Sequence, residues 1–250
     1  MIRILFPSLV CLLALCSCSS VGVHSLHAPP VAISSAPSRI WVERFSAPLA
    51  AFHLGERTAA EKRVLRDEIV ASLARSTAGQ LRSHAADASV LGAGGSVPPG
   101  AWLIRGEILK VDQGSRALRA GIGLGMGRTE MRTSVRVYKV TGAGLVSILR
   151  FQTTGHSGLE PGVALGIATG GVGTVVSAAS AAGTLVMSSL PGVSSDIDRT
   201  SYEIAAVLSV TLQKNGLLGR SRKPIEPHMR GQLPTTVNLH RAIPAPLREF

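Results

Sequence analysis

Residues 103–137 read LIRGEILKVDQGSRALRAGIGLGMGRTEMRTSVRV, two strand-like runs flanking an arginine-bearing turn and a series of alternating glycines. Trp102, Ile104, Gly106 and Ile108 alternate with Leu103, Arg105, Glu107 and Leu109. That period of two places successive side chains on opposite faces and predicts a strand. Beyond the glycines, Met131, Thr133, Val135 and Val137 alternate with Glu130, Arg132, Ser134 and Arg136, which predicts a second strand, buried on one face and solvated on the other. We expect the two to pair antiparallel.

The connection between them begins with Asp112, Gly114 and Ser115. Asp and Ser bond nearby backbone and Gly accepts positive φ, so these residues suit a turn. Arg116 and Arg119 follow, then Gly121, Gly123, Gly125 and Gly127. A G-x-G string raises the dinucleotide-binding fingerprint, which requires the glycine turn to open directly into a helix. Here it opens into RTEMRTSVRVY, whose period is two, so no helix N-terminus follows to receive a phosphate. Glycine at every second position of an extended segment instead strips one face of side chains and lets another backbone approach. The small-residue segment from Gly162 to Gly183 is the expected neighbour.

The string G-S-R-x-x-R-x-x-x-G-x-G-x-G, carried by Gly114, Ser115, Arg116, Arg119, Gly121 or Gly123, Gly125 and Gly127, resembles the bacterial lipoproteins of the domain-of-unknown-function 4410 family. The resemblance runs from about Arg39 to Gly216 and implies an early strand, a helix, the glycine motif, a further strand, a small-residue segment and a final helix. Leu124 and Met126 depart from the aromatic and small residues expected there, and the turn at 140–144 lacks the usual Asp. The resemblance brings no activity with it.

Elsewhere the composition is 45% hydrophobic and 16% charged, with 27 glycines and only 4% aromatics. That permits a packed core built from small and aliphatic side chains. The formal charge of +11 favours anionic partners. The chain opens MIRILFPSLVCLLALCSCSS: Arg3, an apolar run from Ile4 to Cys16, then small residues, the layout of a bacterial secretory signal. That run is too short to span a hydrocarbon core of about 30 Å. Leu15-Cys16-Ser17-Cys18 resembles a lipobox, with Leu at −3 and a small residue at −1, so Cys18 is the expected site of lipidation. Several acyl chains there would give firm anchoring. Cys16 would have Leu15 at −1 and fits less well. With Cys11 and Cys16 removed and Cys18 acylated, the mature domain holds no thiol for a disulfide, a zinc site or a nucleophile.

Residues 18–37, rich in Ser, Pro and Ala, read as a flexible tether, and His24 and His27 within it lack the partners of a metal site. Arg39 to Phe45 reads as a strand. Arg57 to Ser83 follows as a helix with Leu65, Ile69, Leu73, Thr77 and Leu81 on one stripe. Ser89 to Leu91 is a candidate short strand, and Leu145 to Thr154 completes a meander through the hairpin at Gly142 to Gly144. Residues 161–195 carry no charge and read as a small-residue helix buried over the sheet or, alternatively, as a membrane-contacting segment with Gly162, Gly166 and Gly170 in G-x-x-x-G spacing. Ser195 and Asp196 cap the last helix, whose stripe is Ile197, Ile204, Ala205, Leu208 and Leu212 and whose stop is Asn215-Gly216. The reading is an α/β protein of the α+β type: a two-layer sandwich, mostly antiparallel, helices on one face, in the order β-α-β-β-β-α. Its organisation is a signal peptide at 1–17, tether at 18–37, domain at 38–219 and a disordered basic tail at 220–250.

The functional expectation is a non-enzymatic envelope lipoprotein with a binding or assembly role on the periplasmic side of the outer membrane, since Ser19 is not the aspartate that retains such proteins at the inner one. No cofactor, metal or catalytic residue is assigned. Neither a G-x-S-x-G elbow nor an H-E-x-x-H pair occurs. The alternatives are an oligomeric pore or secretion-associated lipoprotein and an envelope hydrolase. Beyond the membrane itself, the expected partners are anionic lipid, glycan or an envelope protein, not nucleic acid, with oligomeric state left open. Arg128, Arg132 and Arg136 recur every fourth residue along one strand, a candidate docking ladder whose bland counterpart is a merely solvated face.

Overall fold

The computed structural model describes residues 21–29, 33–114, 129–157 and 191–229. They form strands β1 (Gly22–His27), β2 (Ile40–Val42) and β3 (Phe52–His53), helix α1 (Ala59–His84), strands β4 (Ala88–Val90), β5 (Trp102–Asp112), β6 (Thr129–Thr141) and β7 (Gly144–Ser157), and helix α2 (Pro191–Lys214). The strands make one sheet in the order β1-β7-β6-β5-β2-β4, with β3 also pairing β5. Helices cover one face, so the fold is α+β and two-layered, as the alternation and helical stripes predict.

The meander is antiparallel throughout, β5 to β6 and β6 to β7. On the other side of β5 the pairing turns parallel: Ile40 stands opposite Trp102, Ser46 bridges Glu107, and Phe52 stands opposite Val111. The sheet is therefore mixed. The segment from Ile40 to His53, interrupted by a 3-10 turn at Leu49–Ala51, meets β5 at three successive places along its length. The Phe45 ring lies over Gly106, where an added Cβ would meet it at 2.1 to 2.8 Å.

Met131, Thr133, Val135 and Val137 are buried and Arg132 and Arg136 exposed, as the period of two requires. The stripe Leu65, Ile69, Leu73, Thr77 and Leu81 is buried on α1, and Ile197, Ile204, Ala205, Leu208 and Leu212 are buried on α2. The two helices pack on each other as well as on the sheet. Their buried hydroxyls meet there, with Thr77 Oγ1 donating to Ser201 Oγ at 3.3 Å.

Helix α1 starts with a capping box. Glu61 N–H donates to Thr58 Oγ1 at 3.3 Å and Thr58 N–H donates to Glu61 Oε2 at 2.8 Å, satisfying two otherwise orphaned amides. The backbone and hydroxyl bonds from Thr58 hold the Glu61 carboxyl below its ordinary range. Thr58→Ala should cost about 1 kcal/mol, read as a melting point about 3 °C lower; an unchanged melt would show the box to be idle. Helix α2 stops as expected: Gly216 adopts φ +68°, its N–H donates to Gln213 O at 2.9 Å and Leu217 N–H donates to Leu212 O at 2.8 Å.

Three boundaries differ from expectation. Within the stretch read as a tether, Gly22–His27 is an edge strand, Gly22 opposite Thr154 and His24 opposite Gln152. Helix α2 begins at Pro191, not after a cap at Ser195-Asp196. Asp196 lies buried inside it and accepts from Thr129 Oγ1 at 2.7 Å, holding the helix to the start of β6. In the stretch read as a disordered tail, Arg222 pairs with Asp87 at 2.6 Å and Met229 bridges Val23. The expected contact between the glycine motif and residues 162–183 lies outside the described residues.

Candidate functional site

The face of the sheet away from the helices is set by the meander's register. Arg105 stands opposite Arg136, and Arg136 opposite Arg150, so three arginines line up across β5, β6 and β7. All three are exposed. Paired strands lie about 4.8 Å apart, so this row crosses three strands within about 10 Å. Like charges directly opposite each other on a sheet are destabilising.

Only Arg105 has compensation: its Nε donates to Glu43 Oε2 at 2.6 Å and its guanidinium lies 5.9 Å from the Tyr138 ring centroid. Arg136 and Arg150 make no ion pair with any described carboxylate. Glu107, opposite Ser134 on the adjoining position of the same face, is exposed and makes no ion pair with any described basic residue. On β1, His27 stands opposite Arg150 and continues the row to the sheet's edge.

A second group lies further down the face, where Lys110 stands opposite Arg132 and Arg132 opposite Thr154. Here the charges cancel. Lys110 Nζ donates to Glu130 Oε2 at 2.6 Å and Arg132 Nε donates to Glu130 Oε1, while Lys110 also lies 3.5 Å from Asp112 Oδ2. Burial pushes the Glu130 carboxyl up, but the hydrogen bonds from Lys110 and Arg132 outweigh it and hold the group below its ordinary range. The Glu130 bond in turn raises Lys110. This knot is internally neutralised and has little to offer a ligand.

The candidate ladder therefore divides. Arg136 makes no ion pair with a described carboxylate, Arg132 is held by Glu130, and Arg128 lies outside the described residues. Of the turn motif, Asp112 accepts from Gly114 N–H at 2.8 Å, with Gly114 at φ +67°. Ser115, Arg116, Arg119, Gly121, Gly123, Gly125 and Gly127 lie outside the described residues, as does Cys18. Arg105 and Arg150 were visible in the sequence only as outward positions of separate strands. What joins them to Arg136 is cross-strand register, which alternation within one strand does not encode.

Among the described residues no group of three His, Cys, Asp or Glu side chains is placed to hold a metal ion, and no helix is long and apolar enough to cross a membrane. In solved structures the chain is similar to a PelC dodecamer from Paraburkholderia phytofirmans, at 13% identity and TM-score 0.34, covering 55% of this chain and 82% of that one. A hypothetical protein from Chlamydia trachomatis matches at 14% identity and TM-score 0.35, covering 70% and 96%. A Xanthomonas campestris protein matches at 10% and 0.32, covering 76% and 98%. Likeness at this level carries no functional information, and no curated protein matches the chain. The family described as a domain of unknown function (DUF4410) matches residues 33–174, more than half of the chain, and the chain belongs to that family.

Proposed function

We propose that this chain is a non-enzymatic lipoprotein, acylated on Cys18 and held on the periplasmic side of the outer membrane, with a binding or assembly role for its folded domain. The observation that carries this reading is the order Arg3, apolar run, Leu15-Cys16-Ser17-Cys18 at the head of the chain. The thiol at Cys18 is the group such processing modifies, and acyl chains attached there supply the membrane affinity. The exposed arginine row supports the binding role, because Arg136 and Arg150 place positive charge without a described carboxylate partner on a face the core does not use.

Cys18→Ala should abolish incorporation of a labelled fatty acid and leave unprocessed precursor, while Cys16→Ala should leave both label and membrane fractionation intact. Label persisting without Cys18 would overturn the assignment. The charge-free run at 161–195 favours a second reading, an oligomeric secretion-associated lipoprotein. Rings seen in detergent by electron microscopy would select it.

A further inference from the structure

We infer that Arg105, Arg136 and Arg150 form a docking face for the anionic lipid headgroups of the membrane that holds the chain, an inference that rests on acylation of Cys18. Two independent observations lead there. One is length. Val21 is buried, Gly22 is already paired to Thr154, and only Ser19 and Ser20 separate Val21 from Cys18. A fully extended chain covers at most about 3.5 Å per residue, so an acylated Cys18 lies within about 11 Å of Val21. What reads in sequence as a long tether is at its start no tether at all: the edge of the sheet is drawn against the headgroup layer.

The other is charge. From Gly22 the sheet runs edge-on through β1, β7, β6 and β5, the strands that carry the arginines. Arg150 lies four residues back along β7 from Thr154, and Arg136 and Arg105 follow on the next two strands. At about 3.4 Å per residue and 4.8 Å per strand, every guanidinium-bearing position of the row falls within about 20 Å of the anchored edge. A planar anionic surface meeting that edge can lie along this face. There Arg136 and Arg150 exchange mutual repulsion for phosphate contact, and guanidinium forks match phosphate oxygens. The neutralised knot of Lys110, Arg132, Glu130 and Asp112 sits beside the row without opposing it.

Basic residues near an anionic bilayer each contribute roughly fivefold in membrane affinity, so Arg136 and Arg150, the two members of the row without an ion pair to a described carboxylate, should contribute on the order of 25-fold, with Arg105 adding less because Glu43 already holds it. The test uses the purified full-length protein. Mass spectrometry first reads whether Cys18 carries acyl chains, which decides the lipidation reading by itself. The protein is then mixed with vesicles of phosphatidylcholine alone or with phosphatidylglycerol, and a fluorophore at Ser134→Cys reports proximity to quencher-bearing headgroups. Quenching is expected to be stronger with phosphatidylglycerol than with phosphatidylcholine alone, and the excess should fade as salt rises.

Arg105→Ser, Arg136→Ser and Arg150→Ser together should remove the phosphatidylglycerol-dependent excess while leaving acylation unchanged and the thermal melt no lower, since the opposed arginines repel one another. Equal quenching on neutral vesicles, or an excess that survives the triple substitution, would overturn the proposal. So would capture of an acidic polysaccharide with no response to phosphatidylglycerol, which would give the face to a glycan. If Cys18 proves unacylated, phosphatidylglycerol-dependent cosedimentation lost in the triple variant would still establish the face, and its absence would remove it.

Discussion

Gly106→Val is expected to destabilise the domain by about 3 kcal/mol or more, the cost range of overpacking compounded by displacing a core aromatic. Gly106 faces the core opposite Val135, and the ring of Phe45, itself 3% exposed, rests where a Cβ would stand. The neighbour that must yield is a ring pinned by its own backbone: Ser46 N–H donates to Gly106 O at 2.8 Å and Ile108 N–H to Ser46 O at 2.8 Å. Relief therefore means expelling Phe45 or breaking the parallel pairing of the 40–53 run with β5. A thermal melt should fall by roughly 10 °C. The companion variant Gly106→Ala with Phe45→Ala should recover part of the loss that Gly106→Ala shows alone, because the smaller residue vacates the space. Wild-type stability in Gly106→Val would mean that Phe45 does not occupy that site.

The elements legible in the sequence are those whose signal is local. The alternation around Met131 to Val137 and the stripes of α1 and α2 each repeat a burial period within one segment, and each appears as read. Register is a different matter. The two-residue loop Gly142-Ala143 places Thr141 opposite Gly144, and simple counting from there would set Arg136 opposite Leu149. Instead the pairing slips between Val137 and Tyr138, with Ile148 and Leu149 both buried, and the slip brings Arg150 into line with Arg136. One bulge thus creates the arginine row, and a bulge has no reliable sequence mark.

β1 was hidden for a similar reason. Val21 and Val23 are buried at the expected alternation, but Ser25 at φ +51° breaks the pattern before it is long enough to recognise. The parallel partners of β5 are only three and two residues long, too short to carry a period of their own. Asp196 misled because an acidic residue near a helix start usually caps it. Here the helix extends back to Pro191, and the carboxylate is used instead to hold Thr129.

Glu203→Ala should loosen the segment that follows α2, at a cost of about 2 kcal/mol. Glu203 is 2% exposed and its carboxylate accepts from His228 N–H at 2.8 Å and pairs with His228 Nδ1. Hydrogen bonds to a charged acceptor are worth about 1.5 to 3 kcal/mol each, but alanine also relieves the desolvation of the buried carboxylate, so the net falls below their sum. Glu203→Gln, which keeps a carbonyl acceptor, should lose less than half as much. The consequence reaches the N-terminal edge. Val23 N–H donates to His228 O at 2.8 Å, so the segment that Glu203 holds in turn clamps β1 from its free side, while Ile225 N–H donates to Ser209 Oγ at 3.1 Å further back. Freed of that clamp, β1 keeps only its pairing with β7. Amide hydrogen exchange should then accelerate at Val23 and His228 well before the core amides of β6 respond. If β1 also frays, the free chain beyond Cys18 lengthens, and under the proposed docking the arginine face would no longer be held against the bilayer. Glu203→Ala should therefore weaken phosphatidylglycerol-dependent quenching without touching any arginine. Unchanged exchange at Val23 together with unchanged quenching would show that the clamp does not govern the edge.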